Sequence, residues 1–320
     1  MNKKLFMKTR IAKIFRIIWE SSITRKLLTL VSILLTVGIL GYLIVSEWEV
    51  LRSVLQDIRP RILIYAFLIY SMILLLTSLT WSMIMNSLGH PVAFRKHFLA
   101  FCISALGKRL PGTLWYLAWR ANLYKEDGYP AKFIILTSGV EMITIVVAAT
   151  FVSLLFSIPL ISQFQYSIIG FAIVILTSLL LLHPKVSRWI VRKLDVELSS
   201  FNYKDILKWT LIYILIWLLI GSLLFSFGNL FVELDISTLG YFIGATALTG
   251  VLSRLFLFLP SHFGFGEVSL SLLLSGIMPS SLAVVVALSN RIIITFFEIV
   301  WALLAIIIKR VLDKITRNDY

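Results

Sequence analysis

The chain has 320 residues, of which 59% are hydrophobic and only 14% charged, with a mean hydropathy of +0.95. A water-soluble fold of this size cannot hide that much apolar surface in its core, which excludes a soluble enzyme. The net charge of +14 does not point to nucleic acid either, because the basic residues sit in short segments beside apolar runs. That is the positive-inside pattern of membrane proteins.

Residues 1–26 hold Lys3, Lys4, Lys8, Arg10, Lys13, Arg16, Arg25 and Lys26 against a single acid, Glu20. Such a segment marks the cytoplasmic side, and it can also lie on anionic headgroups. Runs long enough to cross the bilayer follow at 27–46, 62–84, 133–157, 164–182, 208–228 and 281–308. The first lacks a small-residue cleavage site and reads as a retained helix, not a signal peptide. Two further regions are apolar but interrupted. Region 97–119 is broken at Lys108-Arg109-Leu110-Pro111-Gly112, and region 239–277 is broken from Pro260 to Gly266. Proline removes a helix donor and glycine frees the backbone.

Loop charges orient the spans. The uncharged 157–164 loop and the acidic loop around Glu233 and Asp235 belong outside. The 183–208 loop and the tail, with Lys309, Arg310, Lys314 and Arg317, belong inside, as do residues 85–96 and 120–132. Both termini are therefore expected in the cytoplasm of a multi-pass cell-membrane protein. By parity, each interrupted region must enter and leave on one face, which makes it a re-entrant hairpin. The expected organisation is an all-α polytopic membrane protein of six full spans and two broken hairpins. It comprises a basic segment 1–26, one transmembrane domain 27–308 and a tail 309–320.

The two interrupted regions resemble each other. Pro111 to Gly128 is 17 residues and Pro260 to Gly276 is 16; from those glycines to the charges at Glu141 and Arg291 is 13 and 15. Units 97–157 and 239–308 thus read as an inverted repeat, an architecture whose substrate site lies near the midplane where broken helices meet.

A charge at the centre of a membrane helix costs about 2.5–3.5 kcal/mol, so each one demands a reason. Glu141, Arg291 and Glu298 lie inside apolar spans, Arg254 sits late in 239–259, and Glu267 follows the second break. Lys108, Arg109 and Arg120 belong to the first hairpin. One reading is a chamber in which Lys108, Arg109, Arg120, Arg254 and Arg291 meet a lipid phosphate, since guanidinium forks fit phosphate oxygens. Glu141, Glu267 and Glu298 then hold the arginines or carry protons. The other reading is internal ion pairing that fixes helix packing, with Lys108, Arg109 and Arg120 snorkelling to the headgroups.

Trp115, Tyr116 and Trp119 read as an interfacial belt, and Gly221, Gly228, Gly240 and Gly244 as close-packing positions. The lone Cys102 excludes an internal disulfide. His90, His97, His183 and His262 lack metal-ligand spacing, so no metal or cofactor is expected. No nucleotide-binding, hydrolase-elbow or metalloprotease motif occurs.

The run Leu259-Pro260-Ser261-His262-Phe263-Gly264-Phe265-Gly266-Glu267, with Gly276, Pro279 and Arg291 after it, resembles a Pro-Gly-Gly-x-Gly-x-x-Glu signature. The earlier Leu110-Pro111-Gly112 with Arg120, Gly128 and Glu141 is similar to the first motif of the same family. That family is the flippase-like membrane domain of lysylphosphatidylglycerol synthases. Ser261 and His262 replace glycines, and Met142 stands where the family often has arginine. The resemblance covers roughly 95–310 and implies a stand-alone member, since the sequence runs to Tyr320 without an aminoacyltransferase domain. It implies translocation of an anionic or aminoacylated phospholipid or a polyprenyl-phosphate sugar. The expectation is a transporter-like protein, not an enzyme, whose partners are phosphate-bearing lipids. A homo-oligomer or an envelope-synthesis enzyme is a further partner left open. Two alternatives stand beside it: a membrane-embedded transferase using Glu267 with His262, and a non-catalytic membrane partner of an envelope enzyme.

Overall fold

Every regular element among the described residues is helical. The computed structural model describes residues 60–88, 92–109, 115–125, 128–157, 202–255 and 265–318, with isolated positions at 45, 52, 173, 176, 177, 180 and 183. Apart from those isolated positions, the expected spans 27–46 and 164–182 lie outside the described residues.

Among the described residues, eight α-helices follow in order: α1 (Pro60–Ser87), α2 (Phe94–Ala105), α3 (Trp115–Lys125), α4 (Ala131–Phe156), α5 (Tyr203–Gly228), α6 (Leu239–Leu255), α7 (Phe265–Leu274) and α8 (Ser280–Asn318). Helices α1, α4, α5 and α8 realise four of the expected spans. With Ile236–Arg254, which includes most of α6, they make, among the described residues, five helices long and apolar enough to cross a membrane. Their outward faces are apolar, as a bilayer requires: Leu272 is 69% exposed and Phe296 61%. Inside, hydroxyls are satisfied locally. Thr77, Thr137, Thr144 and Thr150 each donate to the carbonyl four residues back, at 2.7 to 2.9 Å.

Both interrupted regions fold as paired arms. Helix α2 packs on α3, and α6 packs on α7. At 1.5 Å per residue, the 12 residues of α2 and the 10 of α7 reach only about 18 and 15 Å, too short to span. Helix α2 is tolerated at depth because protein covers it: every side chain from Leu99 to Ala105 is buried, against α1, α3 and α8.

A glycine followed closely by a proline punctuates both units, Gly128-Tyr129-Pro130 in the first and Gly276-Ile277-Met278-Pro279 in the second. After α3, Gly128 adopts φ +81° while its N–H donates to Lys125 O, and the Tyr129 N–H donates to Tyr124 O. This left-handed cap ends the helix. The Pro130 carbonyl then accepts from Phe133 N at 3.0 Å to start α4, and the Pro279 carbonyl accepts from Ala283 N at 3.0 Å to start α8.

Close approach is carried by glycine, as expected. A Cβ on Gly221 would run into the Ile243 backbone, and one on Gly244 would lie 2.8 Å from the Phe156 carbonyl carbon. Helix α6 thereby packs tightly between α4 and α5. Helix α8 is joined to α1 by the Trp301 indole N–H, which donates to Ser71 Oγ at 2.9 Å, and by the Phe67–Phe297 edge contact. Helix α8 also departs from expectation. It runs ten residues beyond 308, because hydropathy ends there but no proline or glycine interrupts the sequence as far as Asn318.

Candidate functional site

Arg120 closes the first hairpin from α3, and Glu141 lies mid-way along α4, the helix that the next turn begins. The packing of α3 on α4 brings them together: Arg120 Nη1 donates to Glu141 Oε2 at 2.7 Å. The second carboxylate oxygen, Oε1, accepts from the Tyr213 hydroxyl at 3.1 Å. The guanidinium lies 4.3 Å from the Trp81 ring centroid and 4.6 Å from that of Phe101, with Tyr116 at 5.5 Å. Cation–π contact thus supplements the ion pair where water is excluded. Trp81 is itself held, its Nε1–H donating to the Tyr124 hydroxyl at 2.8 Å, and the same phenol lies 2.6 Å from His97 Nδ1.

Arg254 arrives from the other hairpin. Its Nη1 donates to Gly250 O at 3.0 Å, and its guanidinium lies 5.3 Å from the Trp217 ring. Gly250 makes this possible, since a Cβ there would overlap the indole of Trp217. Trp217 is fixed in turn by donating its Nε1–H to Ile145 O at 3.3 Å.

These groups border one cavity of about 450 Å³, within the range of small-molecule sites. Arg120, Glu141, Arg254 and Glu298 line it with Tyr116, Tyr213, Thr77, Ser253 and Asn290, and the rest of the wall is largely apolar. Both hairpins contribute: Phe101, Tyr116 and Arg120 from the first, Ser253 and Arg254 from the second.

The other expected site residues lie elsewhere. Glu267 at the start of α7 pairs with Arg291 of α8. Neither lines the cavity, although their neighbours abut it: Asn290 is in the wall, and a Cβ on Gly266 would lie 3.3 Å from the Ser253 hydroxyl. Lys108 and Arg109 fall in the 3₁₀ turn Leu106–Arg109, where only their backbone is described. The breaks at 110–114 and 256–264, including His262, lie outside the described residues. Among the described residues no group of His, Cys, Asp and Glu gathers that would hold a metal ion.

Sequence reasoning missed Tyr213, Trp217 and Gly250. The available signal was a polar handle, a phenol or an indole, inside a long apolar run, since such groups find partners when buried. It also misassigned Tyr116. That residue stands four positions before Arg120, on the same face of α3, and so borders the cavity instead of a membrane-interface belt.

An all-α, multi-pass membrane domain with ion-paired charges lining an internal cavity is the class of protein these features define. The chain belongs to the family described as the lysylphosphatidylglycerol synthase TM region, whose profile matches residues 29–302. No curated protein matches it in sequence. Family membership points to a membrane-lipid-related function.

Proposed function

We propose that this protein is a lipid translocase that binds a phosphate-bearing lipid between its two broken hairpins. The observation carrying the reading is the cavity of about 450 Å³, in which Arg120, Glu141, Arg254 and Glu298 stand among apolar side chains of membrane-depth helices. Intramembrane charges that face a cavity mark a ligand pathway, and an amphiphile is the ligand that uses both kinds of wall. Arg254 is the cation available to a phosphate, since its guanidinium has one hydrogen bond, to a carbonyl, and no carboxylate in ion-pair contact among the described residues. Arg120 is already matched by Glu141 and anchors the wall.

The cycle is alternating access, with one hairpin unit rocking against the other around a fixed site. The basic segments support a reading in which both termini lie on the cytoplasmic side of the cell membrane. We read the chain as transporter-like and not as an enzyme. Glu267, the acid a transferase would need, is engaged by Arg291.

The test is reconstitution into vesicles with chain-labelled phospholipids and polyprenyl-phosphate lipids, followed by quenching of the outer leaflet. Labelled lipid is expected to cross, and Arg254→Ala is expected to stop it while the protein remains folded. No movement of any lipid in the panel would overturn the proposal.

A further inference from the structure

We infer that Asn290 reads the headgroup, and that the headgroup it fits bears hydroxyls, as a polyol or sugar joined to the phosphate does; this rests on the translocase reading and narrows its cargo. Asn290 stands in an apolar stretch of α8, with Leu282 to Leu288 before it and Ile292 to Ile294 after it. A primary amide in such a stretch is costly unless it is hydrogen-bonded. Hydroxyls nearby meet that need within their own helices: Thr295 donates to Arg291 O and Thr77 to Ile73 O, both at 2.7 Å. Asn290 makes no hydrogen bond among the described residues and borders the cavity instead. With Ile294 and Glu298 it forms a row at four-residue spacing along one face of α8, all three on the cavity wall.

The second hairpin ties the segment bearing Asn290 to the one bearing Arg254. Arg291, the next residue after Asn290, pairs with Glu267 of α7. Gly266, beside Glu267, approaches α6 so closely that a Cβ would lie 3.3 Å from the hydroxyl of Ser253, the neighbour of Arg254. The two side chains differ in what they can recognise. A guanidinium only donates, which suits phosphate oxygens. A primary amide donates and accepts at once. Phosphate offers acceptors alone and an ammonium offers donors alone, so either leaves half of the amide unmatched. A hydroxyl matches both halves. A phosphodiester-linked polyol or sugar thus brings phosphate to Arg254 and hydroxyls to Asn290, while Ile73, Ile216 and Ile220 on the wall suit the first carbons of the lipid chains.

The full chain in vesicles tests this with three lipids labelled on an acyl chain: phosphatidylglycerol, phosphatidylinositol and phosphatidylpropanol. All three are phosphodiesters of equal charge, and only the last lacks headgroup hydroxyls. At least one hydroxylated lipid is expected to cross about tenfold faster than phosphatidylpropanol. A faster glycerol headgroup assigns the site to a linear polyol, and a faster inositol headgroup to a cyclic, sugar-like one. Asn290→Leu, close in shape and without hydrogen-bonding groups, is expected to bring that ratio to about one without lowering the unfolding midpoint in detergent, since no protein hydrogen bond is lost. Equal rates for the three lipids in the native protein overturn the inference while lipid translocation stands. So does an Asn290→Leu variant that keeps the ratio, and a lowered midpoint makes Asn290 a packing residue and overturns it as well. Movement of no lipid at all overturns both readings.

Discussion

The two hairpin units build the same contact with the signs exchanged. In the first, an arginine on the second arm, Arg120, meets a glutamate on the following long helix, Glu141. In the second, a glutamate on the second arm, Glu267, meets an arginine on the following long helix, Arg291. The sequence separations are 21 and 24 residues. Their surroundings differ. The first pair has side chains only 1% and 6% exposed and is enclosed by Trp81, Phe101 and Tyr213, whereas the second has side chains 12% and 19% exposed. Each pair leaves one polar atom without a partner among the described residues, a donor at Arg120 Nε and an acceptor at Glu267 Oε2. A glycine followed closely by a proline, not the charge order, is what the units share. One pair stands in the cavity wall; the other joins a short arm to α8 and is the less enclosed of the two.

Truncating one partner of the enclosed pair is the most severe way to break this comparison. Glu141→Ala leaves Arg120 buried and uncompensated, which costs about 3–5 kcal/mol. Denaturant unfolding in detergent micelles is expected to record that loss, together with abolished lipid movement. A change under about 1 kcal/mol would mean that the rings and not the carboxylate hold the guanidinium.

Tyr213→Phe sharpens the same point at lower cost. It removes the hydroxyl that donates to Glu141 Oε1 and leaves that acceptor unmatched in a buried site, for an expected loss of about 1–3 kcal/mol. The ring volume is kept, so the cavity wall should survive. Retained lipid movement alongside lowered stability is the expected result, and intact stability would remove Tyr213 from the network.

Much of this was legible in the sequence. Helices α1, α4, α5 and α8 follow from runs of about 20 apolar residues, and both hairpins from proline and glycine inside apolar regions. The charges announced themselves by their cost at membrane depth. Their pairing did not, because it depends on which helices pack. Glu141 could be matched with any of five cations until α3 was seen on α4, and Arg291 was assigned to the phosphate chamber although it faces Glu267. Tyr213 reaches Glu141 across 72 residues, beyond any local periodicity. The end of α8 was misread for another reason: a hydropathy edge marks where a helix leaves the bilayer, not where it stops.

The smallest stability effect is expected at the second pair, and it tests the comparison most finely. Glu267→Gln keeps the shape of the side chain but removes the charge facing Arg291. Because the pair is less enclosed than Arg120–Glu141 and the amide oxygen can still accept from the guanidinium, the expected loss is smaller than that of Glu141→Ala. Lipid movement should nevertheless change, since α7 and α8 are coupled through this contact at the edge of the cavity. A loss as large as that of Glu141→Ala would mean that both pairs are structural pins. Unchanged stability with altered transport would assign the second pair to the moving hairpin.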